Sequence, residues 1–291
     1  MKLGNSEIAW GERTYLMGII NVTPDSFSAD GLATPKADHV AAALAQARRF
    51  AQEGADLLDI GGESTRPGAA PVSREEELRR VVPVVAALAR MGPLPISVDT
   101  YHADVAAAAL DAGAVMINDI WGLRTLEGGW NEALATLVAR RGAPIVLMHN
   151  RRAQANRGTL GGYYSNVEYA DLIGEVIGGL RESVAFAVSH GIAPDRIIVD
   201  PGIGFGKTPQ QNLELIRRMA EFRTLDLPLL VGASRKSFIG LPLNLPPHER
   251  DEGTAAVTAL VVAAGADIVR VHNVQMNVRA ARIADAIYRT L

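Results

Sequence analysis

RIIVDPGIGFGKTPQQNLELI, residues 196–216, holds one complete structural unit. The run RIIV is short, apolar and rich in β-branched residues, as expected of a strand covered on both faces. Asp200 ends it. A glycine-rich stretch follows, and Thr208-Pro209-Gln210-Gln211 then reads as a helix start, with Thr at the N-cap, Pro at the first helical position and Gln at the third. The order is strand, polar residue, loop, helix.

Eight such runs span the chain: Tyr15–Ile20, Asp56–Ile60, Pro95–Val98, Val115–Ile117, Pro144–Met148, Arg196–Val199, Leu229–Val231 and Asp267–Val271. Helical stretches separate them. Ala37–Gly54, Ala103–Ala112, Asn131–Arg141 and Asn166–His190 end at or beside glycines, which stop helices. Ser73-Arg-Glu-Glu76 reads as a capping box, Glu252–Ala264 as a helix, and a last helix runs from about Met276. The segment LPLNLPPHER, 241–250, reads as a loop. Strands joined by helical crossovers run parallel. Eight units in 291 residues predict one α/β domain, a (β/α)8 TIM barrel. An open doubly wound sheet is the runner-up; against it, Asn21–Phe27 follows the first strand where a dinucleotide fingerprint would stand.

Composition is that of an ordinary globular chain, 48% hydrophobic and 21% charged. A net charge of −3 gives no field to gather nucleic acid or anionic lipid, so neither is an expected partner. Without cysteine there is no disulfide, thiolate nucleophile or thiolate-bound metal. No apolar run approaches the length of a membrane span, residues 1–15 carry no apolar signal region, and the expected location is cytoplasmic.

Three motif-like stretches fail on inspection. Gly202–Thr208 lacks the first glycine of a phosphate loop, because Pro201 stands there. Gly232-Ala-Ser234-Arg-Lys236 ends in Lys where a nucleophile elbow needs Gly. The histidines show no paired ligand spacing, and His39, His102, His190 and His248 read as surface residues. A metal held by protein alone is not expected; Mg²⁺ entering with a phosphorylated substrate is compatible with the sequence.

The informative positions close the strands: Asn21, Asp59, Asp99, Asn118 with Asp119, His149, Asp200, the Ser234-Arg235-Lys236 turn, and Arg270 with His272. Any one of them is an ordinary turn residue. A barrel gathers all eight ends at one face, where so many polar groups are costly to bury unless they meet a ligand or each other.

In these segments the sequence resembles the dihydropteroate synthases. The resemblance is carried by Met17–Phe27 (MGIINVTPDSF), Asp59–Gly68 (DIGGESTRPG), Ser97-Val-Asp99, Ile117-Asn118-Asp119, Leu147-Met148-His149, Asp200–Thr208 (DPGIGFGKT), Ser234–Ser237 (SRKS) and Arg270-Val-His272. It implies a barrel and the condensation of 6-hydroxymethyl-7,8-dihydropterin pyrophosphate with p-aminobenzoate, giving 7,8-dihydropteroate and pyrophosphate. Asp99, Asn118, Asp200 and Lys236 would hold the pterin, with Met148 and Phe205 packed around its ring. Asn21, Arg270 and His272 would take the pyrophosphate, and Asn21 also Mg²⁺. Asp25, or else Asp30, would steady a cation on the pterin methylene. Thr65, Arg66 and Ser237 would face p-aminobenzoate, and the active form would be a homodimer. Methyl transfer from a reduced folate, or pterin binding without catalysis, are the rival readings. One departure stands out: Asn273 follows His272 where the family often has Asp, which predicts a milder negative field there.

Overall fold

The computed structural model describes residues 1–23, 39–63, 72–92, 94–151, 156–157, 164–165 and 167–289. Eight parallel strands build its centre: Tyr15–Asn21, Leu57–Gly61, Ile96–Asp99, Met116–Asp119, Ile145–Met148, Ile197–Asp200, Leu230–Val231 and Ile268–Val271. Neighbours in sequence are neighbours in the sheet, and the eighth strand pairs with the first, Arg270 opposite Met17. Closure comes between the sixth and seventh, where Val199 bridges Leu229 and the Val199 amide donates to the Pro228 carbonyl at 2.9 Å. The (β/α)8 barrel therefore forms, and the open-sheet alternative falls. Most strands run slightly beyond the predicted apolar runs and take in Asn21, Asp99, Asp119 and Asp200. Ladder bonds are made by the backbone, so a polar side chain does not end them.

Side chains alternate between two cores. Leu16, Leu58, Val98, Ile117, Leu147, Val199 and Val269 face outward into the layer between strands and helices. Met17, Leu57, Met116, Val146, Ile198, Leu230 and Ile268 face inward and fill the barrel. Burying each such side chain stabilises by roughly 1.5–3 kcal/mol. A hairpin of Lys2–Leu3 and Ser6–Glu7, with Leu3 and Ile8 in the inner core, plugs the N-terminal end. Its two-residue strands are too short to leave a periodic signal in sequence.

Following the same inward parity toward the C-terminal end, the interior changes character. Leu57 gives way to Asp59 and Gly61, Met116 to Asn118, Ile198 to Asp200, Leu230 to Gly232, Ile268 to Arg270 and His272. The two glycines hollow the rim. A Cβ on Gly61 would lie 3.7 Å from Asn21 Oδ1 and 3.9 Å from Asp99 Oδ2; one on Gly232 would lie 3.9 Å from Asp200 Oδ2.

Several local expectations change. The helix Leu172–Ser189 starts six residues later than predicted, at an Asp171 cap that accepts from the Gly174 amide. Ser73 caps Arg74–Met91, but Glu76 turns to Arg79 and Arg80 instead of closing the box. Thr208 and Gln211 do form the reciprocal pair. The helix Ser237–Leu243 carries Pro242 inside it, and Pro247–Glu249 is a 3-10 turn, so the segment read as a loop is partly helical. His102 is not a surface residue: its side chain is 16% exposed and its Nε2 lies 4.0 Å from the buried Glu77.

Candidate active site

At the open end, one arginine organises the acidic groups. Arg270 Nε donates to Asp59 Oδ2 at 2.5 Å and its Nη2 to Asp99 Oδ2 at 2.8 Å. Asn118 Nδ2 donates to the same Asp59 oxygen at 3.0 Å. Burial opposes the Arg270 charge, but the Asp59 and Asp99 carboxylates outweigh it and raise its pKa. Burial lifts the Asp99 carboxyl to about 7 against the pull of Arg270. Asp200, likewise raised by burial and opposed by Lys236, has its Oδ1 bonded to the Gly202 amide at 2.7 Å.

Lys236 approaches from the seventh strand's loop. Its amine donates to the Ile203 carbonyl and stands 4.6 Å from the centre of the Phe205 ring, a cation–π distance. Burial pulls it down to about 8, while Asp200 and Asp99 hold it up. Met148 and Phe205 join Ile120 and Trp121, flanked by Tyr101, in a small apolar cluster separate from both main cores. The cluster places Met148 and Phe205 apart from both cores, beside Lys236. The expected pterin group of Asp99, Asn118, Asp200, Lys236, Met148 and Phe205 thus converges on one end of the barrel.

A second network positions the residues expected to take an anion. The His272 backbone amide donates to the Ser234 hydroxyl oxygen at 3.1 Å, and His272 Nδ1 lies 2.9 Å from the same oxygen. Arg235, in the left-handed region at φ 58°, holds Asp251 through Nε and Nη2 at 2.7 and 2.9 Å. Asn273 donates to Asp251 at 3.0 Å and caps the last helix by accepting from the Met276 amide. The Asn273 departure therefore has a structural reason: an Asp there would set a second carboxylate against Asp251. Ser237 opens its helix as expected, but seven residues give only a weak dipole for an anion. Asn21 closes the first strand with Oδ1 near Gly61. Thr65 and Arg66, with Asp25 and Asp30, lie outside the described residues.

Three roles escaped sequence reading. Asp59 is 0% exposed and holds Asn118 and Arg270. Asp119 binds the Trp121 and Leu123 amides at 2.8 and 2.6 Å and shapes the turn after the fourth strand. Lys207, discarded with the failed phosphate loop, is 1% exposed and ties that loop together from inside. Inward parity at Asp59, against an outward-facing Asp119, was the signal available.

Glu77 is 2% exposed and bonded to Thr100; burial pushes it to about 7. A carboxyl raised from its unfolded value gives a folded state whose stability falls as pH rises from about 4.5 through 7. Glu77→Gln is expected to match the parent at pH 5 and to exceed it by roughly 2–3 kcal/mol at pH 8. Urea titrations at both pH values check this; equal midpoint shifts would refute it.

Comparison with known proteins extends the pattern. A family model for pterin binding enzymes matches residues 17–272. The chain is 44% identical over 290 residues to a dihydropteroate synthase of Clostridium beijerinckii, covering 99% of this chain and 100% of that one. Its fold matches that of a Clostridium difficile dihydropteroate synthase, solved in the presence of pteroic acid, with a TM-score of 0.87, 42% identity and coverage of 98% and 100%. It also matches a Xanthomonas albilineans dihydropteroate synthase with 4-aminobenzoic acid, TM-score 0.84, 42% identity, coverage 96% and 94%.

Proposed function

The chain belongs to the dihydropteroate synthase family of pterin-binding enzymes and is a transferase that condenses 6-hydroxymethyl-7,8-dihydropterin pyrophosphate with p-aminobenzoate, and we propose that its residues divide the reaction as follows. Methyl transfer and binding without catalysis give way to that membership.

Asp99, Asn118 and Asp200 match the donor and acceptor edge of the pterin, and Lys236 donates to its ring carbonyl or nitrogen. Met148 and Phe205 pack along the ring. Arg270 and His272 meet the pyrophosphate; two of the five N–H groups of Arg270 are held by carboxylates, which leaves donors for phosphate oxygens. The observation that carries this reading is the Asp59–Arg270–Asp99 chain, because it joins the pterin wall to the anion side in one ionic network.

Bond breaking is dissociative. The methylene C–O bond breaks with its electron pair leaving on pyrophosphate, and a cation forms on the pterin methylene. Arg270 and His272 stabilise the departing charge more than the resting charge. Asp25, or in its place Asp30, steadies the cation. The p-aminobenzoate amine then forms the C–N bond and releases its proton to water. Thr65, Arg66 and Ser237 hold the benzoate side.

Asn21 offers one neutral oxygen, and the described residues include no cluster of three or more metal-binding side chains. That donor set fits Mg²⁺ bound mainly by pyrophosphate oxygens and water, with Asn21 completing its shell; the ion would neutralise leaving-group charge. Chelating Mg²⁺ is expected to cut dihydropteroate formation at least tenfold, as loss of that neutralisation implies, and to leave binding of a free pterin unchanged. Turnover that survives chelation would remove the ion from the reading.

The active form is a homodimer formed through the last two long helices, Asp251–Ala263 and Val274–Tyr288. They pack together and leave Leu260, Ile283, Ile287 and Tyr288 59–68% exposed. Ile287→Asp is expected to shift the sedimenting species from dimer to monomer; a parent that sediments as a monomer would overturn the assignment. The compartment is the cytoplasm, which fractionation would check. Among the described residues no helix is long and apolar enough to cross a membrane.

A further inference from the structure

We propose that Asp59 is a positioning residue for the reaction, setting from beneath the pocket both the direction of the Asn118 amide and the reach of the Arg270 guanidinium. The inference rests on the assignment of Asn118 to the pterin and Arg270 to pyrophosphate.

The Asp59 side chain is completely buried, so neither substrate touches it. It acts only through what it holds, and one oxygen, Oδ2, holds both partners. A carboxylate only accepts hydrogen bonds. An Asn118 amide turned the other way would set its oxygen against that carboxylate, so Asp59 forces Nδ2 inward and leaves the carbonyl oxygen as the acceptor for a ligand. The sense of pterin readout at Asn118 is thereby chosen one layer below the pterin.

The second arm concerns charge. Arg270 is shared between Asp59 and Asp99, and Asp99 is also the group that meets the pterin N–H donors. A ligand at Asp99 loosens one side of this pairing and leaves Asp59 as the fixed anchor. Nε, next to the side-chain stem, is the atom Asp59 grips, so it fixes the plane of the guanidinium, while Nη2 donates to Asp99 and Nη1 is left to meet oxygen anions. Asp59 also lowers the positive field felt by pyrophosphate, holding product affinity below what Arg270 alone would give. The other Asp59 oxygen, Oδ1, is buried without a hydrogen-bond partner, as is the Oγ of Ser97, its cross-strand neighbour. Leaving such an acceptor unsatisfied is destabilising, so this carboxylate is not explained by stability.

Asp59→Asn keeps the shape and removes the charge and the one-way acceptor. The measurements are the dissociation constant of inorganic pyrophosphate with Mg²⁺, that of free 6-hydroxymethylpterin, and kcat. The expected result is pyrophosphate binding tighter by at least threefold, pterin binding weaker, and kcat lower by at least thirtyfold, since misplaced groups act at this distance from the chemistry (about 10²-fold for 1 Å). A merely structural role weakens both ligands together or neither, and either outcome overturns the proposal. Arg270→Gln is run beside it. If Arg270→Gln leaves pyrophosphate binding unchanged, the assignment of Arg270 is wrong; if it weakens binding while Asp59→Asn changes nothing, the assignment stands and the Asp59 proposal fails. Should Asp59→Asn not fold, Asp59→Glu keeps the charge and displaces it: kcat is expected to fall with pyrophosphate affinity within twofold of the parent, and an unchanged kcat overturns the proposal.

Discussion

Arg270→Ala is expected to abolish most turnover and to remove a large part of the protein's stability. Asp59 is fully buried and the Asp99 side chain is only 11% exposed, and both lean on this one guanidinium at 2.5 and 2.8 Å. Breaking a buried ion pair from one side leaves an uncompensated charge, a loss of about 3–5 kcal/mol. Here two carboxylates are left facing each other, against a whole-protein stability on the order of 5–15 kcal/mol. The protein has one escape, protonation of Asp99, whose carboxyl burial already lifts to about 7. Losing Arg270 lifts it further, so the folded variant binds a proton that the unfolded chain does not, and its stability falls as pH rises. The deficit against the parent should therefore be larger at pH 8 than at pH 5.5, as read by urea unfolding. The catalytic loss is expected to be on the order of 10³-fold in kcat/KM, as for removal of a preorganised donor at developing charge. Binding of free pterin should suffer less. A variant with parental turnover, or with the same stability deficit at both pH values, would contradict the assignment.

How far the sequence carries can be judged at particular residues. The eight strands were legible because a doubly covered strand leaves a short apolar run that no other short element imitates when repeated with helices between. The rim residues Asp99, Asn118, Asp200, Lys236 and Arg270 were legible because a barrel collects its strand ends. Which of them touch one another was not, since Asp59 and Arg270 are separated by 211 positions and meet only through closure of the sheet. Asp59 was visible but ambiguous; the alternation that aims it inward needs the exact register of the second strand. Asn273 was read as a missing charge, yet its partner Asp251 comes from a different helix, and only their meeting explains the amide. The hairpin of Lys2–Leu3 and Ser6–Glu7 leaves no period at all.

Lys207→Met tests a residue whose sequence context pointed to the wrong chemistry. In the failed phosphate loop Lys207 would have faced a ligand; in the structure its amine lies 3.0 Å from the Gly202 carbonyl, 3.1 Å from the Phe205 carbonyl, 3.1 Å from His149 Nδ1 and 3.4 Å from the His149 carbonyl. Methionine fills similar space but donates nothing, and each acceptor left unsatisfied costs about 1–3 kcal/mol. The loop cannot easily refit around the loss. Gly202 sits at φ 71°, and a Cβ there would lie 1.9 Å from the His149 carbonyl oxygen, so the two backbones already touch. A loss of about 3 kcal/mol is expected, with melting lower by about 5 °C. Activity should fall as well, because Ile203 and Phe205 in this loop are the groups against which Lys236 is set. The pH dependence separates donors from charge. Burial pulls Lys207 down to about 7, so between 7 and the ordinary lysine range the unfolded chain holds a proton that the folded one releases. Stability of the parent thus gains from this group as pH rises from 7 to 9, whereas the Met variant has no such group. The gap between them should widen over that interval, with the neutral amine still donating to the loop. A gap that narrows toward pH 9 would mean that the ammonium charge, not its hydrogen bonds, holds the loop that follows Asp200 and carries Phe205.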